Sequence, residues 1–163
     1  MKIAIMSDSH DSIPNLKKAI EISLKEDVKK IFHCGDLISP FMVPVLGEFN
    51  KEIHLILGNN PGDIFLLIQK LSNYPNIKFH GESAFLEING YKICMVHYPK
   101  IAYAFAKTEE YDFIFCGHTH KYEIKEIGNK TLVINPGEIL GKEGPPTFVI
   151  LDLKTKEHKR ITF

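Results

Sequence analysis

Asp8 and His10 stand together in Ser7-Asp8-Ser9-His10, directly after a short apolar run. Gly35-Asp36 closes the next such run and Gly58-Asn59-Asn60 the third, while His97 and Gly117-His118-Thr119-His120 close two more. Carboxylate, imidazole and amide side chains are donors that suit a divalent ion. The set Asp8, His10, Asp36, Asn59, His97, His118 and His120 is larger than one ion takes from protein, yet it suits two ions if one carboxylate bridges. Asp36 is the natural bridge, because its two oxygens can each bind a metal. Without a thiolate the set favours manganese, iron, nickel, cobalt or zinc over calcium or magnesium; it does not choose among them, and manganese is the first expectation. Two such ions can bind a bridging hydroxide and clamp phosphoryl oxygens during in-line attack, so no side-chain nucleophile is needed.

The elements that must position these residues read as strand ends. Strand-like runs fall at Lys2 to Met6, Lys30 to Cys34 and Ile53 to Leu57. Between the first two, Ser12 is placed to cap a helix with Pro14 in its first turn, and Leu16, Ala19, Ile20 and Leu24 then recur with helical spacing. Strands alternating with helices imply a parallel sheet. The second half is mostly β: Ala84 to Ile88 and Lys92 to Val96 flank Asn89-Gly90, a pair suited to a type I′ hairpin turn, and Gly128-Asn129 suggests another hairpin. Further runs lie at Phe113 to Cys116, Lys121 to Ile127, Thr131 to Ile134, Thr147 to Leu153 and His158 to Phe163, with a helix around Ile101 to Lys107. The expected fold class is α/β, a four-layer α/β/β/α sandwich of two mixed β-sheets flanked by helices, with its ligand site at strand carboxyl ends. The glycines before Asp36, Asn59 and His118 fit sharp turns that bring backbone close to that site.

The chain has 163 residues, which suits one domain spanning 1–163. Its formal net charge is zero, which argues against a nucleic-acid footprint and for a small substrate. Cys34, Cys94 and Cys116 form an odd set in apolar runs without CxxC spacing and read as reduced core thiols. No targeting segment or bilayer-length apolar run is evident, so the expected compartment is the cytoplasm, with no membrane partner. A homo-oligomer is left open: Ile101, Tyr103 and Phe105 suit a subunit contact, but a helix covering the sheet is the commoner use of such a stretch.

The ordered set Asp8-Ser9-His10, Gly35-Asp36, Gly58-Asn59, His97 and Gly117-His118-Thr119-His120 resembles the calcineurin-like metallophosphoesterase superfamily over nearly the whole chain. The small size, the Ser7 to Ser12 opening and the turn at Asn135-Pro136-Gly137 look closest to the small archaeal and bacterial YfcE-like phosphodiesterases. The resemblance implies a first ion on Asp8, His10, Asp36 and His120 and a second on Asp36, Asn59, His97 and His118. It also puts His10 and Asn59 near the substrate phosphate. Its implied activity is hydrolysis of small or nucleotide-like phosphodiesters, with a phosphomonoesterase or a catalytically weak interaction scaffold like the retromer small subunit as alternatives. Three positions depart from the pattern. Asn60 and Pro61 replace the usual His and acidic residue, which removes the customary general acid; Tyr98 and Pro99 follow His97 where a small residue is common; and Glu138 replaces a frequent Ser.

Overall fold

Nearly every central strand is apolar on both faces, and the alternation of side chains along each decides which layer it fills. The computed structural model describes all 163 residues. In the first sheet β1 (Lys2–Met6), β2 (Lys30–His33), β3 (Glu52–Leu55) and β4 (Ile77–Phe79) run parallel. β10 (Thr147–Asp152) lies antiparallel on β1 and β11 (His158–Thr162) on β10, giving the order β11-β10-β1-β2-β3-β4. The second sheet has the order β5-β6-β7-β9-β8, formed by β5 (Ser83–Ile88), β6 (Tyr91–Val96), β7 (Phe113–Phe115), β9 (Thr131–Pro136) and β8 (Tyr122–Ile127). Its centre, β6, β7 and β9, is parallel and its edges are antiparallel.

Ile3 and Ile5 of β1 point between the sheets and meet Phe32, Met95, Phe113 and Phe115, whereas Ala4 and Met6 point outward. There they join the core under α1 (Ile13–Lys25), α2 (Met42–Leu46) and α3 (Ile64–Leu71). On the far side, Cys94, Val96, Ile114 and Val133 pack under Ala102 and Ala106 of α4 (Pro99–Ala106). The result is the expected α/β/β/α sandwich.

Asn89 and Gly90 both have positive φ, 53° and 80°, as a type I′ turn requires, and Ile88 pairs with Tyr91 across it. The second hairpin forms too, with Ile127 opposite Thr131. Ser12 stands at the N-cap of α1 without a side-chain cap bond, so Pro14 in the first turn sets the start. β4, α2 and α3 were not among the expected elements. Ile64-Phe65-Leu66-Leu67-Ile68 is apolar all round, so its buried pair, Leu67 and Leu71, is masked by exposed neighbours.

Candidate active site

The carboxyl ends of β1, β2 and β3 meet those of β6 and β7 at one edge of the sandwich, and all the expected site residues lie there. Five of them, Asp8, His10, Asp36, His118 and His120, have left-handed backbone with φ between 44° and 70°. Each such residue costs about 1 kcal/mol or more, a pattern that clusters at functional sites. The loops are held by one another: His10 N donates to the Asp36 carbonyl at 2.8 Å, Asp8 N to Gly35 at 3.1 Å, and Leu140 N to Asp8 at 3.0 Å. Asp11 accepts from both the backbone N–H and the hydroxyl of Ser39, which ties the first loop to the second. Two glycines are needed for close approach. A Cβ on Gly58 would lie 2.1 Å from Asp36 Oδ1, and one on Gly117 1.8 Å from Ser7 Oγ.

Asp8, Asp36 and His97 are at most 3% exposed. Donor atoms of Asp8, His10 and His120 lie within 4.8 Å of one another, and so do those of Asp8, Asp36 and His97. Both carboxylates sit between the two groups, since Asp36 Oδ2 is also 3.8 Å from His10 Nε2. His97 donates Nδ1–H to the Cys34 carbonyl at 2.8 Å, which leaves a lone pair on Nε2. That lone pair faces Asn59 Oδ1 at 2.9 Å and Asp36 Oδ1 at 3.7 Å. His118 Nδ1 lies 2.7 Å from the same Asn59 oxygen. His120 donates Nδ1–H to Glu138 Oε2 at 2.6 Å and turns Nε2 toward Asp8 Oδ1, 3.5 Å away. Asp8 Oδ1 and His10 Nε2 are buried with no hydrogen-bond partner. Burial pushes the Asp8 carboxyl above its usual range, against the pull of the Ser7 hydroxyl, His97, His120 and the His118 N–H. Lone pairs facing one another at these distances repel unless positive charge lies among them, so the donor set fits divalent cations.

The family model for the calcineurin-like phosphoesterase superfamily domain matches residues 1–156. This chain belongs to that superfamily. A phosphodiesterase of Methanocaldococcus jannaschii is 37% identical over 164 residues, covering 99% of this chain and 98% of the relative. A solved archaeal phosphodiesterase superposes with a TM-score of 0.92 at 36% identity, covering both chains completely. The Escherichia coli phosphoesterase YfcE shares the fold, with a TM-score of 0.69 at 16% identity over 99% of each chain.

The three departures from the superfamily pattern have distinct settings. Asn60 donates its backbone N–H to Asp36 Oδ1 at 2.8 Å and its side-chain amide to Oδ2 at 2.6 Å, so it grips a carboxylate of the site. Asp63, the nearest acid along the chain, caps α3 by accepting from Leu66 N at 2.9 Å. Tyr98 sets its ring edge-on to His118 and His97, with centroids 4.6 and 5.4 Å apart. Glu138 lies almost fully buried at the carboxyl end of β9, a sixth strand end at this edge.

Sequence reasoning missed Glu138 as a partner of His120, although the turn before it was noted. It also missed Asn135, whose amide donates to the Gly117 carbonyl at 2.7 Å and to Thr119 Oγ1 at 3.0 Å, pinning the His118 loop. His33 is buried, with Nε2 2.9 Å from Ser9 Oγ between Asp8 and His10. His54 of β3 stacks on Phe32 and pairs with His80 just past β4, and His158 is exposed on β11.

Proposed function

We propose that this chain is a metal-dependent phosphodiesterase acting on small or nucleotide-like diesters, with two divalent ions, manganese first, in one 163-residue domain. Asp8, His10, Asp36 and His120 hold one ion and Asp36, Asn59, His97 and His118 the other. One observation carries the reading: at the edge where five parallel strands end, ligand atoms of His97, Asp36, Asp8 and His10 converge, and Asp8 Oδ1 and His10 Nε2 are buried without a hydrogen-bond partner in the chain. The 37% identity to an archaeal phosphodiesterase over the whole chain supports the diester substrate. The free, buried cysteines and the absence of any helix long and apolar enough to cross a membrane support a reducing cytoplasmic setting.

When bound, the ions supply water acidified to near-neutral pKa and neutralise charge building on phosphoryl oxygens. The chain's own residues set the geometry. Glu138 and the Cys34 carbonyl fix the tautomers of His120 and His97, so that each ring offers Nε2 to the site. Asn60 orients Asp36, and the His118 N–H, 2.9 Å from Asp8 Oδ2, orients Asp8. His10 and Asn59 are the residues assigned to contact the substrate phosphate. Neither Asn60 nor Asp63 is poised to protonate the leaving oxygen, because the Asn60 amide is spent on Asp36 and Asp63 on α3. Leaving groups that depart as weakly basic oxyanions are therefore favoured, since a general acid typically supplies about 10²–10⁴ in rate.

The test is elemental analysis after dialysis against manganese, followed by rates on bis(nitrophenyl) phosphate, nitrophenyl phosphate and alkyl diesters. Two ions per chain, chelator-sensitive activity and a preference for the aryl diester are expected. One ion or none at saturating metal removes the binuclear reading, and faster turnover of the monoester removes the diesterase reading.

A further inference from the structure

α4 packs over β6, β7 and β9, while β5 at the sheet edge extends beyond it. A cleft of about 470 Å³ opens there and runs out from Asn59 and His97. Its walls are Leu57, Pro61, Phe85, Tyr98, Ile101 and Phe105. Phe85 and Tyr98 are 54% and 40% exposed, unusual for aromatic rings with a core alongside. Both are held in place. Phe85 is braced edge-on by Phe105 at 5.5 Å and flanked by the tilted ring of Tyr111 at 6.1 Å, and Tyr98 is braced edge-on by His118. Rings already immobilised lose little freedom on binding a flat partner.

The charge of the cleft narrows what it takes. Glu82 and Ser83 are its hydrogen-bonding side chains besides Asn59, His97 and Tyr98, and no Lys or Arg lines it. On the opposite flank of the site, a groove of about 350 Å³ beside His120 and Glu138 carries Lys121 and Arg160 instead. A second phosphate is thus disfavoured beside Tyr98, whereas an uncharged ring with an N–H for Glu82 is favoured. The volume falls in the lower half of the small-molecule range of about 300–1,000 Å³.

Resting on the phosphodiesterase reading, we infer that this cleft is the subsite for a planar, uncharged group esterified to the phosphate, an aryl ring or a nucleobase. Ring stacking at Phe85 then separates aromatic from aliphatic phosphate esters by binding, independently of leaving-group basicity. The test is calorimetric titration of the manganese-loaded chain with phenyl phosphate, methyl phosphate and inorganic phosphate, repeated on Phe85→Ala and Phe85→Trp. The wild type should bind phenyl phosphate roughly tenfold more tightly than methyl phosphate. Phe85→Ala should shrink that gap to about twofold with inorganic phosphate unchanged, and Phe85→Trp should keep it. Phe85 is half-exposed, so folding should survive, which thermal unfolding checks. No gap in the wild type, or the same gap in Phe85→Ala, overturns the subsite. Turnover of bis(nitrophenyl) phosphate separates the two readings: its absence defeats the diesterase assignment, while turnover with an unchanged KM in Phe85→Ala defeats the cleft alone.

Discussion

The polar edge of the sandwich and the apolar cleft beside it depart from ordinary packing in opposite ways. At the polar edge, the carboxylates of Asp8 and Asp36 are withdrawn from water on left-handed backbone beside the buried His97, and some of the site's atoms have no partner in the chain. In the cleft, aromatic rings that would ordinarily be covered are left in water. Both arrangements cost folding free energy, and both sit within one side chain of His97. The difference teaches where each task lies: buried, over-determined polar atoms are what chemistry on a charged group needs, and rigid exposed rings are what recognition of its substituent needs.

The strongest way to break the comparison is to empty the polar edge. Asp36→Ala removes the carboxylate between the two donor groups and frees the Asn60 amide. Activity should fall by at least about 10³-fold, and bound metal should drop at both positions rather than one. Elemental analysis alongside diester turnover checks this. A variant that keeps two ions would show that Asp8 alone spans the donor groups.

The polar edge continues beneath its first loop to His33, and this sets the next effect. Burial pushes the His33 imidazole down to about 4, from an ordinary value near 6.5. Between those values the unfolded chain binds a proton that the folded chain refuses, so stability is full above about pH 6.5 and declines as pH falls toward 4. The loss is roughly 3 kcal/mol. Urea unfolding of the metal-free chain at pH 7 and pH 4.5 should show a loss of that order, and His33→Gln should shrink it, leaving the smaller share of His54 and His80, which burial also pushes down. An equal pH effect in the variant would place the titrating group elsewhere.

Much of this edge could be read from the amino-acid sequence, because buried parallel strands are continuous apolar runs and each ended on a glycine or polar cluster. Asp8, Asp36, His97 and His118 were visible for that reason. Glu138 was noted as a departure from the pattern, but its pairing with His120 was not legible, since it depends on β9 lying beside β7 and sheet order leaves no local trace. Asn60 was read as a lost acid, but its grip on Asp36 needs the loop geometry after β3. α3 and the short β4 went unrecognised, the first because Ile64 to Ile68 is an unbroken apolar run whose helical spacing is hidden and the second for its length of 3 residues. The cleft was illegible too, as it comes from where α4 stops across the sheet.

Glu138 sharpens the comparison, because it should govern metal without touching recognition. Glu138→Ala frees the His120 ring to rotate or change tautomer, and losing such a partner typically weakens metal binding about 10–100-fold. Glu138→Gln retains an acceptor for Nδ1–H and should lose less. Phe85→Ala, in the cleft, should leave metal affinity at the wild-type value. Titration of manganese into the three metal-free variants measures all of this, and equal weakening by Phe85→Ala would merge the two regions into one.

The smallest effect expected is at Asp63, three residues past Asn60 on the loop that leaves the polar edge. Its carboxylate is the nearest along the chain to the position of the missing acid, so a role in protonating the leaving oxygen is the natural rival to the reading of Asn60. The geometry points elsewhere. Asp63 has extended backbone at the N-cap of α3, and its Oδ1 accepts from Leu66 N at 2.9 Å, the bond that satisfies an otherwise free first-turn N–H. An acceptor at a helix N-terminus is also favoured by the helix dipole, which adds to the capping role. Asp63→Ala should therefore cost about 1 kcal/mol of stability, seen as a lower urea midpoint, while Asp63→Asn or Asp63→Ser should restore most of it. Across a series of diesters with graded leaving-group pKa, the slope of log kcat should be the same in wild type and Asp63→Ala. A steeper slope in the variant would identify Asp63 as the acid, and a shallow slope in both would mean that protonation of the leaving oxygen comes from another group.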